Sequence, residues 1–156
     1  VAKKAANSAE FERDYADGEM ICTEGESSSE MFVIQSGSVR IFKSSAKGEV
    51  ELALLTRGDF FGEMSVLEGL PRDANACAVG STRVLVMSTG ALLVRLRRDP
   101  TFAFELLHRL SGRVRTLNSR LLEAIEKGGG ATDSSRPSGP AGTMMMYMPE
   151  LADGGE

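Results

Sequence analysis

The sequence predicts a mainly β domain, a sandwich or barrel, followed by C-terminal helices. Three observations carry this. Short apolar runs succeed one another from about Glu10 to Ser88. Glycines at 18, 25, 37, 48, 58 and 62 separate them at turn spacing, a pattern of closely connected strands rather than of βαβ units. After Ser88 the hydrophobic period changes from that of a strand to that of a helix.

The elements follow in order. Met31-Phe-Val-Ile-Gln35 is a buried strand run, and Val39 and Ile41 alternate with polar residues after Gly37. Ser36-Gly37-Ser38 between them reads as a tight hairpin, with Gly supplying a positive φ. Val50–Leu55 and Arg83–Met87 are further strands. Ala91–Leu96 reads as a short helix. Asp99-Pro100 then supplies an N-cap and a proline at the first helical position. The second helix is expected from about Pro100 to Glu126. Its Leu107, Leu110, Val114, Leu117 and Leu121 follow the alternating three-four spacing of a coiled-coil seam. Two readings stand open, a parallel dimer seam and a helix packed on its own barrel. Gly112 inside this helix costs about 1 kcal/mol relative to Ala.

Residues 1–127 are read as the domain, 128–142 as a Gly/Ser/Pro linker, and 143–156 as a Met-rich tail with an apolar island at Met144–Leu151. The linker stretch carries too little apolar surface to offset its ordering entropy. The island is a candidate docking segment for a protein partner.

Composition excludes several classes. The 156 residues hold one His, two Cys and no Trp. A His-based catalytic site, a His-cluster metal site and a four-cysteine cluster are therefore not expected, and the chain is read as a non-enzyme without a cofactor. Cys22 and Cys77 are read as inward strand residues in a reducing, cytoplasmic setting. The net charge of −4 gives no bulk attraction to nucleic acid. No apolar run is long enough to span a bilayer. Arg95, Arg97, Arg98, Arg109, Arg113, Arg115 and Arg120 crowd the helices and are read as a solvated face.

Chemistry concentrates between Arg57 and Ala76. Gly62 leaves its backbone open to a ligand, Glu63 sets one carboxylate beside that gap, and Met64–Leu67 suits one helical turn. Arg72 returns a guanidinium nine residues after Glu63. A carboxylate, free N–H groups and an arginine converging on one place suit a sugar phosphate: the acid takes a hydroxyl, and the cation takes the phosphate.

The order of these features resembles the cyclic nucleotide-binding domain family, of the catabolite activator type but with no helix-turn-helix pattern following the long helix. The resemblance runs from about Phe11 to Leu122. It rests on Gly18-Glu19, Glu24-Gly25-Glu26, Met31-Phe-Val-Ile34, Gly37-Ser-Val39, Gly58-Asp59, Phe61-Gly-Glu63 and Pro71-Arg72. It implies an antiparallel β-roll, jelly-roll-like, with a long C-terminal dimerisation helix. It implies a phosphate-binding cassette from Phe61 to Arg72, with Glu63 on the ribose 2′-hydroxyl, Arg72 on the cyclic phosphate, and the backbone of Gly62 and Met64 lining the site.

The sequence departs from the family pattern in three places. Asp73 stands where a small residue is usual. A carboxylate about 4 Å from a phosphate costs roughly 4 kcal/mol at an effective dielectric of about 20, unless it turns outward or pairs with Arg72. Asn75 stands where Thr or Ser is common and retains a donor. Polar candidates for covering the base are Thr116, Asn118 and Ser119. The expected function is a sensor that binds a cyclic nucleotide, cAMP before cGMP, and signals through its last helix as a homodimer. The alternative is a degenerate domain that serves as a dimerisation or interaction scaffold.

Overall fold

The computed structural model describes residues 10–128. Six strands and three helices follow in the order β1 (Glu10–Tyr15), β2 (Met20–Cys22), β3 (Glu30–Ser45), β4 (Gly48–Thr56), β5 (Phe60–Phe61), α1 (Glu63–Glu68), β6 (Asn75–Ser88), α2 (Thr89–Arg98) and α3 (Pro100–Gly128). All strand pairs are antiparallel. β6 and β3 lie side by side at the centre, flanked by β1 and β4, with β2 added to β6 and β5 to β3. This is the expected antiparallel β-roll with C-terminal helices.

The expected hairpin at Gly37 is not there. β3 runs unbroken through it for 16 residues. Gly37 does have a positive φ of 83°, but it marks a bulge. Ser36 pairs with Arg83 and Ser38 with Val79, so residues 80–82 of β6 bow out around one residue of β3. The Thr82 hydroxyl fills the bow, donating to Ser38 O at 3.0 Å and lying 3.3 Å from the Ser38 N–H. The tight hairpin lies at residues 46–47 instead, where Ser45 pairs with Gly48. Ser45 Oγ donates there to Gly48 O at 2.8 Å. The apolar signal of β6 showed only its last third, because its first half is built from small residues such as Ala76 and Ala78.

Strand alternation sorts two cores. Phe32, Ile34, Val84 and Val86 face the roll interior with Val39, Leu55 and Phe61. Their neighbours Met31 and Met87 face outward and pack with Phe60, Val66, Leu92 and Leu106, which seats α1, α2 and the start of α3 on the sheet. Phe32 and Ile34 point inward at even positions, whereas Val39 does so at an odd one, because the bulge shifts the period of two.

Ser88 Oγ caps α2 by accepting from Ala91 N at 3.2 Å. Asp99 Oδ1 accepts from Phe102 N at 3.1 Å and so caps α3 as the sequence predicts. α3 reaches Gly128, two residues past the expected end and into the first residue of the expected linker. The rest of that linker, and the Met144–Leu151 island, lie outside the described residues. Of the described residues, 10–115 fall in one compact unit and 116–128 in another.

Along α3, Leu107, Val114, Leu117 and Leu121 are exposed, Leu117 at 62%. Leu110, placed by the heptad pattern in the same seam, packs half-buried against the outer core cluster. No helix among the described residues is long and apolar enough to cross a membrane.

Candidate functional site

The cassette begins at β5. Phe60 points outward to the helices, while Phe61 is buried and its ring stacks on Phe32 at 4.9 Å. The side chain of Phe61, a candidate ligand contact by sequence, is packed in the core, directly before Gly62 in the chain. Gly62 has φ 79° and caps α1. A Cβ there would lie 2.5 Å from Arg72 Nη1 and 3.0 Å from Glu30 O, so glycine is required for the arginine to approach.

Arg72 closes the cassette. Its backbone is stitched to the β2–β3 loop by two bonds, Arg72 N to Glu26 O and Gly25 N to Arg72 O, each 2.8 Å. Its side chain is buried, 5% exposed. Nη1 donates to Gly62 O at 3.2 Å and Nη2 to Ser28 Oγ at 2.8 Å, while the guanidinium sits over the Phe32 ring at 5.3 Å. Nε is buried without a hydrogen-bond partner among the described residues. Those residues also supply no carboxylate to pair with Arg72. Burial pushes the neighbouring Cys22 thiol up from its usual range, against a smaller opposite pull from the Arg72 charge. Cys22 and Cys77 are both buried free thiols.

Glu63 opens α1, and its carboxylate is held by α3: Arg113 Nη1 lies 3.1 Å from Glu63 Oε1. Arg113 also donates to Phe60 O and stacks 4.4 Å over the Phe60 ring. One turn earlier Arg109 pairs with Asp59 at 2.6 Å. The solvated-face reading of the helix arginines therefore fails for Arg109 and Arg113. Its signal was present as two matched four-residue spacings, Asp59 with Glu63 and Arg109 with Arg113, yet nothing local says that the two pairs meet. His108 is exposed.

The remaining candidates are placed as follows. Met64 is exposed at the start of α1. Asp73 turns away from Arg72 and pairs with Lys43 at 3.2 Å, with an exposed side chain. Asn75 is buried, and its Oδ1 accepts from Glu24 N at 2.9 Å, so its amide oxygen serves to tie the β2–β3 loop to β6. Thr116, Asn118 and Ser119 lie on α3 in the second unit. The structure thus sets Arg72 against Gly62 and Ser28, pairs Glu63, next in the chain after Gly62, with Arg113, and buries Phe61 and Asn75.

Residues 12–99 match the model of the cyclic nucleotide-binding domain. The chain is 36% identical over 110 residues to the cyclic AMP receptor protein of Thermus thermophilus, covering 70% of this chain and 51% of that protein. It is 39% identical over 84 residues to a cAMP-dependent protein kinase regulatory subunit of Mycosarcoma maydis, covering 51% of this chain and 16% of that protein. The chain therefore spans about half or less of the length of these relatives. Among solved structures, the catabolite activator protein of Thermus thermophilus superposes with a TM-score of 0.65 at 35% identity, covering 75% of this chain and 56% of that one. Motif, sheet order and relatives agree: the chain belongs to the cyclic nucleotide-binding domain family.

Proposed function

We propose that this chain is a non-enzymatic sensor module that binds a cyclic nucleotide, cAMP in preference to cGMP, and passes occupancy to α3. One observation carries the reading: Arg72 is a buried cation that, among the described residues, has no carboxylate partner and no hydrogen-bond partner for Nε. An unpaired buried charge is costly, and a phosphate is the anion that a planar guanidinium fork engages best. Glu63 offers carboxylate oxygens to a ribose hydroxyl beside it. The preference for cAMP follows the names of the relatives. Calorimetry of the wild-type chain with cAMP, cGMP and cyclic dinucleotides tests this. Binding of cAMP supports the reading, and absence of heat with every ligand sinks it in favour of the scaffold.

Transmission rests on the Glu63–Arg113 pair. A ribose hydroxyl that takes Glu63 changes the contact by which α3 is held, and a shift of α3 needs only a difference in ligand affinity between its two positions. The exposed Val114, Leu117 and Leu121 support α3 as a homodimer seam, since an apolar stripe of this length gains by burial. Leu117→Glu places a charge in that seam and is expected to halve the mass measured by light scattering. A monomeric wild type, or an unchanged dimer in the variant, counts against the seam.

Asp73 turns outward to Lys43, and exposed charges are screened. Its repulsion of a phosphate is therefore smaller than adjacency in sequence implies. Asp73→Ala is expected to tighten cAMP binding by about threefold to tenfold. Equal or weaker binding in calorimetry shows that Asp73 does not oppose the ligand.

A further inference from the structure

We propose that Ser28, on the loop between β2 and β3, is a ligand-binding residue whose hydroxyl donates to the same anionic oxygens that Arg72 engages. The inference rests on the cyclic-nucleotide reading and extends it to a residue outside the cassette. Ser28 Oγ accepts two hydrogen bonds, from Arg72 Nη2 at 2.8 Å and from Glu30 N at 3.3 Å. A serine hydroxyl has two acceptor positions and one donor. Both acceptor positions are engaged here, and the O–H is the capacity that remains.

The arginine says where that donor is used. Nε and Nη2 share one edge of the planar guanidinium. Nη2 is bonded to Ser28, and Nε is buried with no partner among the described residues. An anion that answers Nε therefore sits beside the Ser28 hydroxyl. Two charge-assisted bonds, one from Nε and one from Ser28, then reach the same phosphate. The loop is held for this by the paired backbone bonds of Gly25 and Glu26 to Arg72. Ser28 itself is half-buried, within reach of a ligand.

Calorimetry with cAMP and with its two diastereomers that carry sulfur on one exocyclic phosphate position tests the proposal. Sulfur accepts hydrogen bonds weakly, so it removes the Ser28 bond from the ligand side. Ser28→Ala is expected to weaken cAMP binding about tenfold or more. The loss is expected to shrink to below about threefold for one diastereomer and to persist for the other. Ser28→Thr, which keeps the hydroxyl, is expected to bind cAMP within about threefold of wild type. Thermal melts of both variants establish that they are folded.

Equal loss for all three ligands overturns donation to the phosphate and leaves Ser28 only positioning Arg72. Unchanged binding by Ser28→Ala, with binding lost in Arg72→Ala, overturns this inference alone. Failure of the wild type to bind any cyclic nucleotide overturns the functional reading and this inference together.

Discussion

Arg72→Ala is expected to weaken cyclic-nucleotide binding by at least about 100-fold, the loss that follows from removing one partner of a buried, hydrogen-bonded charge pair. Two features set this size. The side chain is 5% exposed, so its field acts on a bound anion with little screening by water. Its fork is already held, with Nη1 and Nη2 bonded to Gly62 O and Ser28 Oγ and Nε without a partner among the described residues. Little order remains to be imposed when the ligand arrives.

Arg72→Lys keeps the charge without the planar fork and is expected to recover only part of the loss. Without ligand, the alanine variant is expected to melt close to wild type, because the buried charge it removes has no carboxylate partner among the described residues to strand. Titration calorimetry and thermal melting read the two halves of this prediction separately. Binding by Arg72→Ala within about threefold of wild type would mean that the phosphate does not sit on Arg72.

The largest effect on stability is expected from Gly37→Ala. Gly37 has φ 83°, where a residue with a Cβ is strained by roughly 1–3 kcal/mol. An added Cβ would also lie 2.5 Å from Ser81 O and 2.8 Å from Thr82 Cα, both backbone atoms of β6 that cannot swing away. Overpacking of this kind costs about 1–3 kcal/mol more. Together, a loss of about 2–6 kcal/mol is a large part of the total stability of a domain of this size, and a fall in Tm on the order of 10 °C is expected.

Gly48→Ala is the control. Gly48 also has a positive φ, yet nothing lies within 4 Å of the added carbon. It is expected to cost only the backbone strain, roughly 1 kcal/mol. Circular dichroism melts compare the two. Equal destabilisation would show that the β3–β6 bulge yields to the extra carbon.

Gly37 also shows how far local reading goes. Its positive φ was legible, because glycine between two apolar runs signals a break in regular strand geometry. That the break was a bulge and not a turn depended on β6, whose residues 79–83 lie more than 40 positions away. The two-residue hairpin at 46–47 carries Ala and Lys, so its turn signal is confined to Gly48 just after it. The arginines of α3 make the same point. The helix and its cap at Asp99 were readable, since both depend on neighbours within four residues. Arg113 on Glu63 and Arg109 on Asp59 each join residues 50 apart, and helical periodicity alone placed those arginines in solvent.

By itself the sequence determined the strand-then-helix order, the N-cap of α3 at Asp99, and the glycine at 62 from which α1 starts. Each is set by residue type at short spacing, where backbone sterics and hydrogen-bond reach act. Tertiary structure decided that Arg72 is buried with no carboxylate beside it among the described residues, that Ser28 and Gly62 hold its fork, that Asp73 faces Lys43, and that α3 grips Glu63 through Arg113. Those facts depend on which distant segments meet. Burial and charge pairing are properties of that meeting, and no local window of residue types contains them.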